Sequence, residues 1–553
     1  MNWVIKENND NESVKRLSNE LNISPILSSM LVNRRVKTFD QAKKFFRPNF
    51  EMLHDPFLMK DMSLAVERIQ KAIQKNESIM IFGDYDVDGT SSVALLSMYL
   101  ESLGLKIIKY LPDRKKEGYG VSINAIDHAF SKNHKLIIAL DCGIKAHKQV
   151  EYAKEKGIEF IICDHHNPDK NLPKALAILN PKRKDCAYPF KELCGCGVGF
   201  KLVQAVESKQ SKNNQIINYL DLVALAIAAD VVPLTGENRV LAFIGLQIIN
   251  SNPRPGVHSL LKKNVKKEYT ISDLMYYVGP RINAAGRMKH ASLALELLIC
   301  NDINSVEKLA LEIEDLNTSR RDIEKDITSQ AIEQVDNSSE KLNSIVVFDS
   351  DWNKGVIGIV ASRLVDKYYK PSIVFCESSK GVLTASARSI KGLDLYSVLN
   401  QCKGFIDQFG GHKYAAGLTI KKENLEGFKK HFENIVSQII DKNIFEQELL
   451  IESKINLNEI TPKFFRILKQ FEPFGPENMA PLFCTKNALD RGYTKAVGSE
   501  KEHLKLHLCS EKERLSEMNG IAFKMGQHAS YISKGLPFDI CYAIQENVWQ
   551  GKT

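Results

Sequence analysis

The sequence predicts an α/β protein: two α/β lobes joined by a long helix, followed by a small C-terminal β-barrel. Three patterns predict it. Apolar strand-like runs alternate with helices between residues 79 and 163, the alternation returns at 344–376, and short alternating strands with basic residues follow residue 447. Strands alternating with helices build a parallel, doubly wound sheet, whose ligands bind beyond the carboxyl ends of the strands.

Residues 1–75 read as a helical region of mixed polarity with no evident chemistry. Ile79-Met80-Ile81-Phe82 reads as a buried strand. A helix over 90–103 opens with Thr90, Ser91 and Ser92 and stops at Gly104. Strands follow at 106–111, 136–140 and 158–163, with a helix over 148–156 that ends at Gly157. Residues 216–250 form two apolar helices broken at Asp230, and 303–335 form a long charged helix with few breakers. The second lobe has strands at 344–348 and 372–376 around a helix at 356–366. Alternation such as His503-Leu504-Lys505-Leu506-His507-Leu508 suits a barrel of the oligonucleotide-binding (OB-like) kind. The expected divisions are 1–75, 76–300, 301–340, 341–446 and 447–553.

A chain of 553 residues can bury several cores, and length alone suggests three or four domains. No run approaches the ~18 unbroken apolar residues of a membrane span. The N-terminus lacks a basic-then-apolar signal pattern, so secretion is not expected. Eleven scattered cysteines, several inside apolar runs (Cys163, Cys376, Cys541), fit a reducing cytoplasm. The net charge of +8 leans toward a polyanionic partner, although solubility alone accounts for such a charge.

The chemistry concentrates in four groups: Gly83-Asp84-Tyr85-Asp86-Val87-Asp88-Gly89, Asp141-Cys142-Gly143, Asp164-His165-His166 and Ala229-Asp230-Val231. Each stands where an apolar, strand-like run ends, so their side chains are expected to converge. Bunched carboxylates with imidazoles suit two Mn²⁺ or Mg²⁺ ions. Two such ions can activate a water and clamp a phosphate, the demands of phosphodiester hydrolysis. A calcium-loop reading of the first group fails, because position twelve from Asp84 is Leu95 rather than a Glu. Asp86, Asp88, Asp141, His165 and Asp230 are the expected ligands, with Asp141 bridging and catalytic. Asp84 either ligates or orients a ligand. His166 is open to three roles: ligand, phosphate donor, or acid for the leaving oxygen. Cys194-Gly195-Cys196 is rejected as a zinc site, since no second matched pair stands at zinc spacing.

These groups resemble the DHH phosphoesterase family. The match continues through Arg114-Lys115-Lys116-Glu117-Gly118-Tyr119-Gly120, Ala229-Asp230-Val231-Val232-Pro233-Leu234, Gly279-Pro280-Arg281-Ile282-Asn283-Ala284-Ala285-Gly286-Arg287 and Gly410 to Gly417, from about residue 75 to the end. The resemblance implies a DHH lobe, a DHHA1-type lobe and the barrel. It also implies a Mn²⁺- or Mg²⁺-dependent exonuclease that degrades single-stranded DNA from the 5′ end to 5′-mononucleotides, in DNA repair and recombination. A single-strand-binding protein and a helicase are the implied partners of a cytoplasmic monomer. Several relatives carry a His four residues before the first ligating Asp, where this chain has Phe82, so the ligand set must be completed otherwise.

Holding the strand needs further groups. Arg281 and Arg287 lie in a Gly- and Ala-rich stretch that lets backbone approach a ligand, and guanidinium suits phosphate. Ser386 and Arg388, two apart on a strand, face one side. Gly410-Gly411-His412 reads as a flexible turn whose N–H groups cradle an anion. By resemblance, Ser386, Arg388, Gly411, His412 and at least one of Arg281 and Arg287 form the 5′-phosphate pocket. Asn283 joins them as a substrate contact; Arg114 reads either as a solvated loop charge or, beside Glu117-Gly118-Tyr119-Gly120, as part of a strand-gripping loop in which Tyr119 can stack a base. Two rival readings compete: a DHH phosphatase or oligoribonuclease for small nucleotides, which lacks the flanking regions, and a non-catalytic DNA-binding scaffold, which would have lost the ligands.

Overall fold

The computed structural model describes residues 2–7, 10–114, 116–210, 216–262, 264–338, 342–439, 448–510 and 517–547. The chain separates into two compact units: His54–Val232 with Ile244–Gln447, and Met1–Leu53 with Pro233–Phe243 and Glu448–Thr553.

The first unit holds a parallel sheet in the spatial order Ile107–Tyr110, Ile79–Gly83, Leu136–Leu140, Glu159–Cys163, Ala177–Leu179. Its central strands are continuous apolar runs buried along nearly their whole length, as a sheet covered on both faces requires. From Ile79–Gly83 the chain moves to the strand on one side, then crosses to Leu136–Leu140 on the other. The order reverses there, and a crevice opens beyond the carboxyl ends of these two strands. The following helix, Val87–Ser102, starts three residues before the sequence reading because Asp86 caps it, accepting from Gly89 N at 3.0 Å.

A connector helix, Ile303–Asp336, spans 34 residues. It leads to a mixed sheet in the order Gln408–His412, Ala415–Lys421, Val382–Arg388, Ser372–Ser379, Ile345–Asp349, antiparallel except for the last pair. Phe375, Leu383, Phe428 and Phe432 fill its core beneath the helix Leu425–Ile439. The Gly410-Gly411-His412 segment is part of the edge strand, not a turn: Gly410 faces Gly417 and His412 faces Ala415 across the ladder. Any anion must therefore meet the outward N–H groups of an edge strand instead of a nest of turn amides.

In the second unit the helices Asn11–Leu21, Pro25–Asn33 and Phe39–Phe46 share a core with Phe464, Phe471 and Phe483. The barrel sheet centres on Phe483–Asp490 and His503–Ser510, joined by Ser453–Lys454, Lys495–Val497, Glu517–Ala522 and Phe538–Tyr542. The N-terminal region is not purely helical, since Asn2–Ile5 pairs in parallel with Glu448–Ile451. Buried Arg239 stacks on Phe45 at 3.9 Å and donates to the carbonyls of Phe45, Phe471 and Glu472. It thereby satisfies backbone oxygens stranded past the end of the helix Pro462–Lys469.

Candidate metal centre and phosphate pocket

The crevice gathers the acidic groups. Potential ligand atoms of Asp84, Asp86 and Asp141 lie within 4.8 Å of one another, as do those of Asp88, His165 and Asp230, and of Asp141, His165 and His166. His165 Nε2 stands 3.1 Å from Asp141 Oδ1, 3.6 Å from Asp230 Oδ2 and 3.9 Å from Asp88 Oδ2. Asp141, His165 and Asp84 are all buried. His165 Nε2, Asp141 Oδ1 and Asp84 Oδ1 are enclosed and have no hydrogen-bond partner among the described residues. Unpartnered buried oxygens and an imidazole nitrogen facing one another are unfavourable unless a cation sits among them. The donor set fits Mn²⁺ or Mg²⁺.

Electrostatics agree with that fit. Burial first, and neighbouring carboxylates second, push Asp84, Asp141 and Asp230 well above the ordinary carboxylate range and Asp88 up to about 7. Burial and then His166 push His165 down to about 3, which keeps its lone pair available. Backbone strain sits here too. Asp141 has φ +59° and Val231, directly after Asp230, has φ +58°, a poor conformation for a β-branched residue.

Asp164 organises the loop. Its Oδ1 accepts from His165 N at 2.7 Å, His166 N at 3.0 Å and His166 Nδ1 at 2.8 Å, while Oδ2 accepts from Ile144 N at 2.9 Å. Burial opposes its charge, but the bond and charge of His166 hold it down to about 2. Burial likewise opposes protonation of His166, and the same bond outweighs it and raises the imidazole. Tyr119, largely exposed between Gly118 (φ +81°) and Gly120 (φ +84°), places its hydroxyl 3.3 Å from His166 Nε2. Glu117 pins that loop, accepting from Tyr110 Oη at 2.9 Å and Asp113 N at 2.8 Å.

A cationic set from both lobes stands beside the metal ligands. Arg114 lies over the Tyr85 ring at 4.6 Å. Arg287 donates to Gly355 O at 2.8 Å and makes no ion pair with a carboxylate among the described residues. Burial, then Arg114 and Arg388, lower its pKa to about 9. Arg388 donates to Ser386 Oγ at 3.1 Å, and Gly358 leaves room for both, because a Cβ there would sit 2.9 Å from Ser386 Oγ. Asn283 is half-buried one turn before Arg287 on the helix Gly279–Met288. His412 is exposed; its pKa is lowered by burial, then by His166 and Arg388.

Three family models match: the DHH family N-terminal domain over residues 78–227, the DHHA1 domain over 341–438 and the RecJ OB domain over 451–553. The single-stranded-DNA-specific exonuclease RecJ of Bacillus subtilis is 36% identical over 562 residues, covering 100% of this chain and 69% of that one. The protein of the same name from Haemophilus influenzae is 35% identical, covering 92% and 91%. The chain belongs to the RecJ family. The crystal structure of Thermus thermophilus RecJ with Mn²⁺ matches the fold with a TM-score of 0.85 at 25% identity, over 100% of this chain and 77% of that one.

Within this RecJ-family fold two expectations need correcting. Asp230 ends the helix Leu220–Asp230, as the reading of two apolar helices broken there implies, and does not belong with the strand ends among which the sequence reading places its group. Arg281 is committed elsewhere: its Nε donates to Glu314 at 2.6 Å and Nη1 to Tyr277 O at 2.7 Å, which ties its helix to the connector. Phe82, where several relatives carry a His, stacks on Tyr110 at 5.7 Å inside the core. Sequence reasoning also missed two contributors. Asp88 accepts from Gly195 N and Cys196 N, each at 2.7 Å, at the start of the helix Gly195–Glu207. A Cβ on Gly195 would lie 2.6 Å from Asp141 Oδ1, so only glycine lets that helix approach. The Asp164 contacts were the other omission. Signals existed: a glycine between two cysteines before an apolar helix, and the aspartate opening Asp164-His165-His166.

Proposed function

We propose that the chain is a Mn²⁺- or Mg²⁺-dependent exonuclease that hydrolyses single-stranded DNA from the 5′ end to 5′-mononucleotides, in repair and recombination. The observation that carries this reading is a buried carboxylate–imidazole cluster beside the guanidiniums of Arg287 and Arg388. Among the described residues, Asp84 Oδ1, Asp141 Oδ1 and His165 Nε2 of that cluster have no hydrogen-bond partner, and the two guanidiniums pair with no carboxylate. Asp84, Asp86, Asp88, Asp141, His165 and Asp230 would hold two ions, whose chemistry is to lower the pKa of a bound water and stabilise phosphoryl charge.

The protein's own groups do the rest. Ionised Asp164 keeps the proton on His166 Nδ1, leaving Nε2 to face the substrate and, when charged, to donate to the leaving oxygen. The bond broken is P–O3′ of the terminal nucleotide, so the shortened strand again carries a 5′-phosphate. Arg287, Arg388 and Ser386 receive that phosphate, with Asn283, Gly411 and His412 on its flanks and Arg114 over the following backbone. Tyr119 presents an open ring to a base. On the barrel, Lys495 faces Lys505, and exposed Tyr493 and Phe523 pack edge-on against His507 and His503. Charge interleaved with open rings suits a strand of any sequence.

In this reading residues 1–75 are an N-terminal region, 76–300 the catalytic lobe, 301–340 the connector, 341–446 the phosphate lobe and 447–553 the strand-binding barrel. No helix among the described residues is long and apolar enough to cross a membrane. The setting is the cytoplasm, where a monomer works on ends unwound by a helicase and covered by single-strand-binding protein. Digestion of 5′- and 3′-labelled single strands, with and without Mn²⁺, tests the reading. Early release of the 5′ label as a mononucleotide supports it; first release of the 3′ label reverses the polarity, and metal-independent release removes the ions.

A further inference from the structure

The connector helix carries a buried charge that the mechanism above leaves unused. Arg320 is 8% exposed. Its Nη1 donates to Glu324 Oε2 at 2.6 Å, its Nη2 to Asn317 Oδ1 at 2.7 Å, and its buried Nε has no partner. Asn317 and Glu324 stand three residues before and four after it, so one helix face clamps the guanidinium. The other oxygen of Glu324 accepts from Arg363 Nε at 2.8 Å, on the helix Ile357–Tyr368.

The connector is tied to the helix Gly279–Met288 by Arg281–Glu314 and Lys289–Glu312, both at 2.6 Å. Arg287 leaves that helix toward Gly355, two residues before the helix that bears Arg363. The start of that helix meets both pocket guanidinium residues, since a Cβ on Gly355 would lie 2.9 Å from Arg287 O and one on Gly358 3.2 Å from Arg388 Nη2, and Gly286 beside Arg287 packs on Tyr85, over whose ring Arg114 lies. Four guanidiniums thus share one neighbourhood: Arg114, Arg287, Arg388 and Arg320. Among the described residues Glu324 is the carboxylate paired with any of them, and Arg363 draws on it as well.

We propose that Arg320 and Glu324 together set the pull of Arg287 on a phosphate monoester, Arg320 strengthening it and Glu324 weakening it. The inference rests on the reading of Arg287 and Arg388 as the 5′-phosphate pocket. Arg320 is a positioning residue: its bonds are taken by Asn317 and Glu324, and it acts through Arg287 without touching the substrate. The physical reason is charge balance. Buried like charges are costly unless an anion joins them, and a phosphate monoester, with a charge of about −1.5 to −2, answers that need better than a diester. Without Glu324 the excess would hold the released mononucleotide, which carries the same 5′-phosphate, and so slow turnover.

The test uses the full chain with Asp141→Ala, which leaves the strand uncut. Affinities for one oligonucleotide bearing a 5′-phosphate or a 5′-hydroxyl are compared at fixed salt, together with affinity for inorganic phosphate. Glu324→Gln should raise the preference for the 5′-phosphate roughly tenfold and Arg320→Met should lower it roughly tenfold, with Arg320→Lys retaining most of it. Affinity for the 5′-hydroxyl strand should not move. A gain of affinity cannot arise from a damaged fold, so Glu324→Gln decides the matter even if Arg320→Met melts early. Equal shifts on both strands, or no shift in either variant while Arg287→Met abolishes the preference, would overturn this inference alone. If Arg287→Met leaves the preference intact, the pocket itself is misassigned.

Discussion

Asp164 and Gly195 show how much of the centre depends on residues that touch no substrate. Asp164→Ala would strand the N–H groups of Ile144, His165 and His166 and free the imidazole of His166. A stability loss of about 3 kcal/mol is expected, with hydrolysis lost even where the fold survives; differential scanning calorimetry and single-turnover kinetics would measure both. Gly195→Ala should lower the melting temperature, overpacking costing about 1–3 kcal/mol, and weaken Mn²⁺ binding at least about tenfold, because its Cβ would displace Asp141. Unchanged manganese affinity would show that the close approach is not needed. The convergence of the candidate ligands was legible in the sequence, since closely spaced aspartates and paired histidines after apolar runs have few other uses. The supporting contacts were not, because the partners of Asp88 and Asp164 are backbone N–H groups, some more than 100 positions away.

pH dependence also belongs to single residues. Asp88 has a folded value of about 7, above its ordinary 3.8, so its proton favours the fold. That contribution is full below about pH 4 and is lost as pH rises through about 7. Asp84, Asp141 and Asp230 shift the same way. Asp164 shifts down to about 2, so its contribution is present above about pH 4 and fades only in strong acid. His165, pushed down to about 3, works the opposite way below its ordinary 6.5, but the four raised aspartates outweigh it, so the metal-free protein should melt higher near about pH 5 than near about pH 8, and Mn²⁺ should stabilise most at the alkaline end, where the carboxylates are deprotonated. A metal-free melting temperature that climbs between those values would contradict the assignment.

At the scale of elements, the parallel sheet was readable because its strands are unbroken apolar runs ended by glycines and acids. The run before Asp230 is apolar all round, a pattern shared by a buried strand and a buried helix, and its length of 11 residues favours the helix that the sequence predicted there. One element misled, for a physical reason. Gly410-Gly411 has the composition of a turn, yet the antiparallel partner Ala415–Lys421 draws it into an edge strand. The pairing of Asn2–Ile5 with Glu448–Ile451 joins segments far apart in the chain and leaves no local trace. On the barrel, Tyr493→Ala and Phe523→Ala should each weaken binding of a single strand by about 1–3 kcal/mol if a base stacks there. Fluorescence anisotropy with the full chain would read it, and unchanged affinity would assign these rings to some other contact.

For the whole molecule, the two lobes of the unit His54–Val232 with Ile244–Gln447 bring His166 and Lys145 of one into electrostatic range of His412 of the other. Backbone charge and stacking, without base-specific contacts, should make digestion sequence-tolerant and strongly salt-dependent. A blunt duplex should be degraded far more slowly than a single strand of the same sequence, and equal rates would count against single-strand specificity. In the proposed mechanism, distant carboxylates and an imidazole hold the ions that make hydrolysis possible. Manganese titration of the wild type and of Asp141→Ala, followed by calorimetry, measures this ligation. About two ions should bind per wild-type chain, with at least one lost in the variant; identical binding by both proteins would rule out ligation by Asp141.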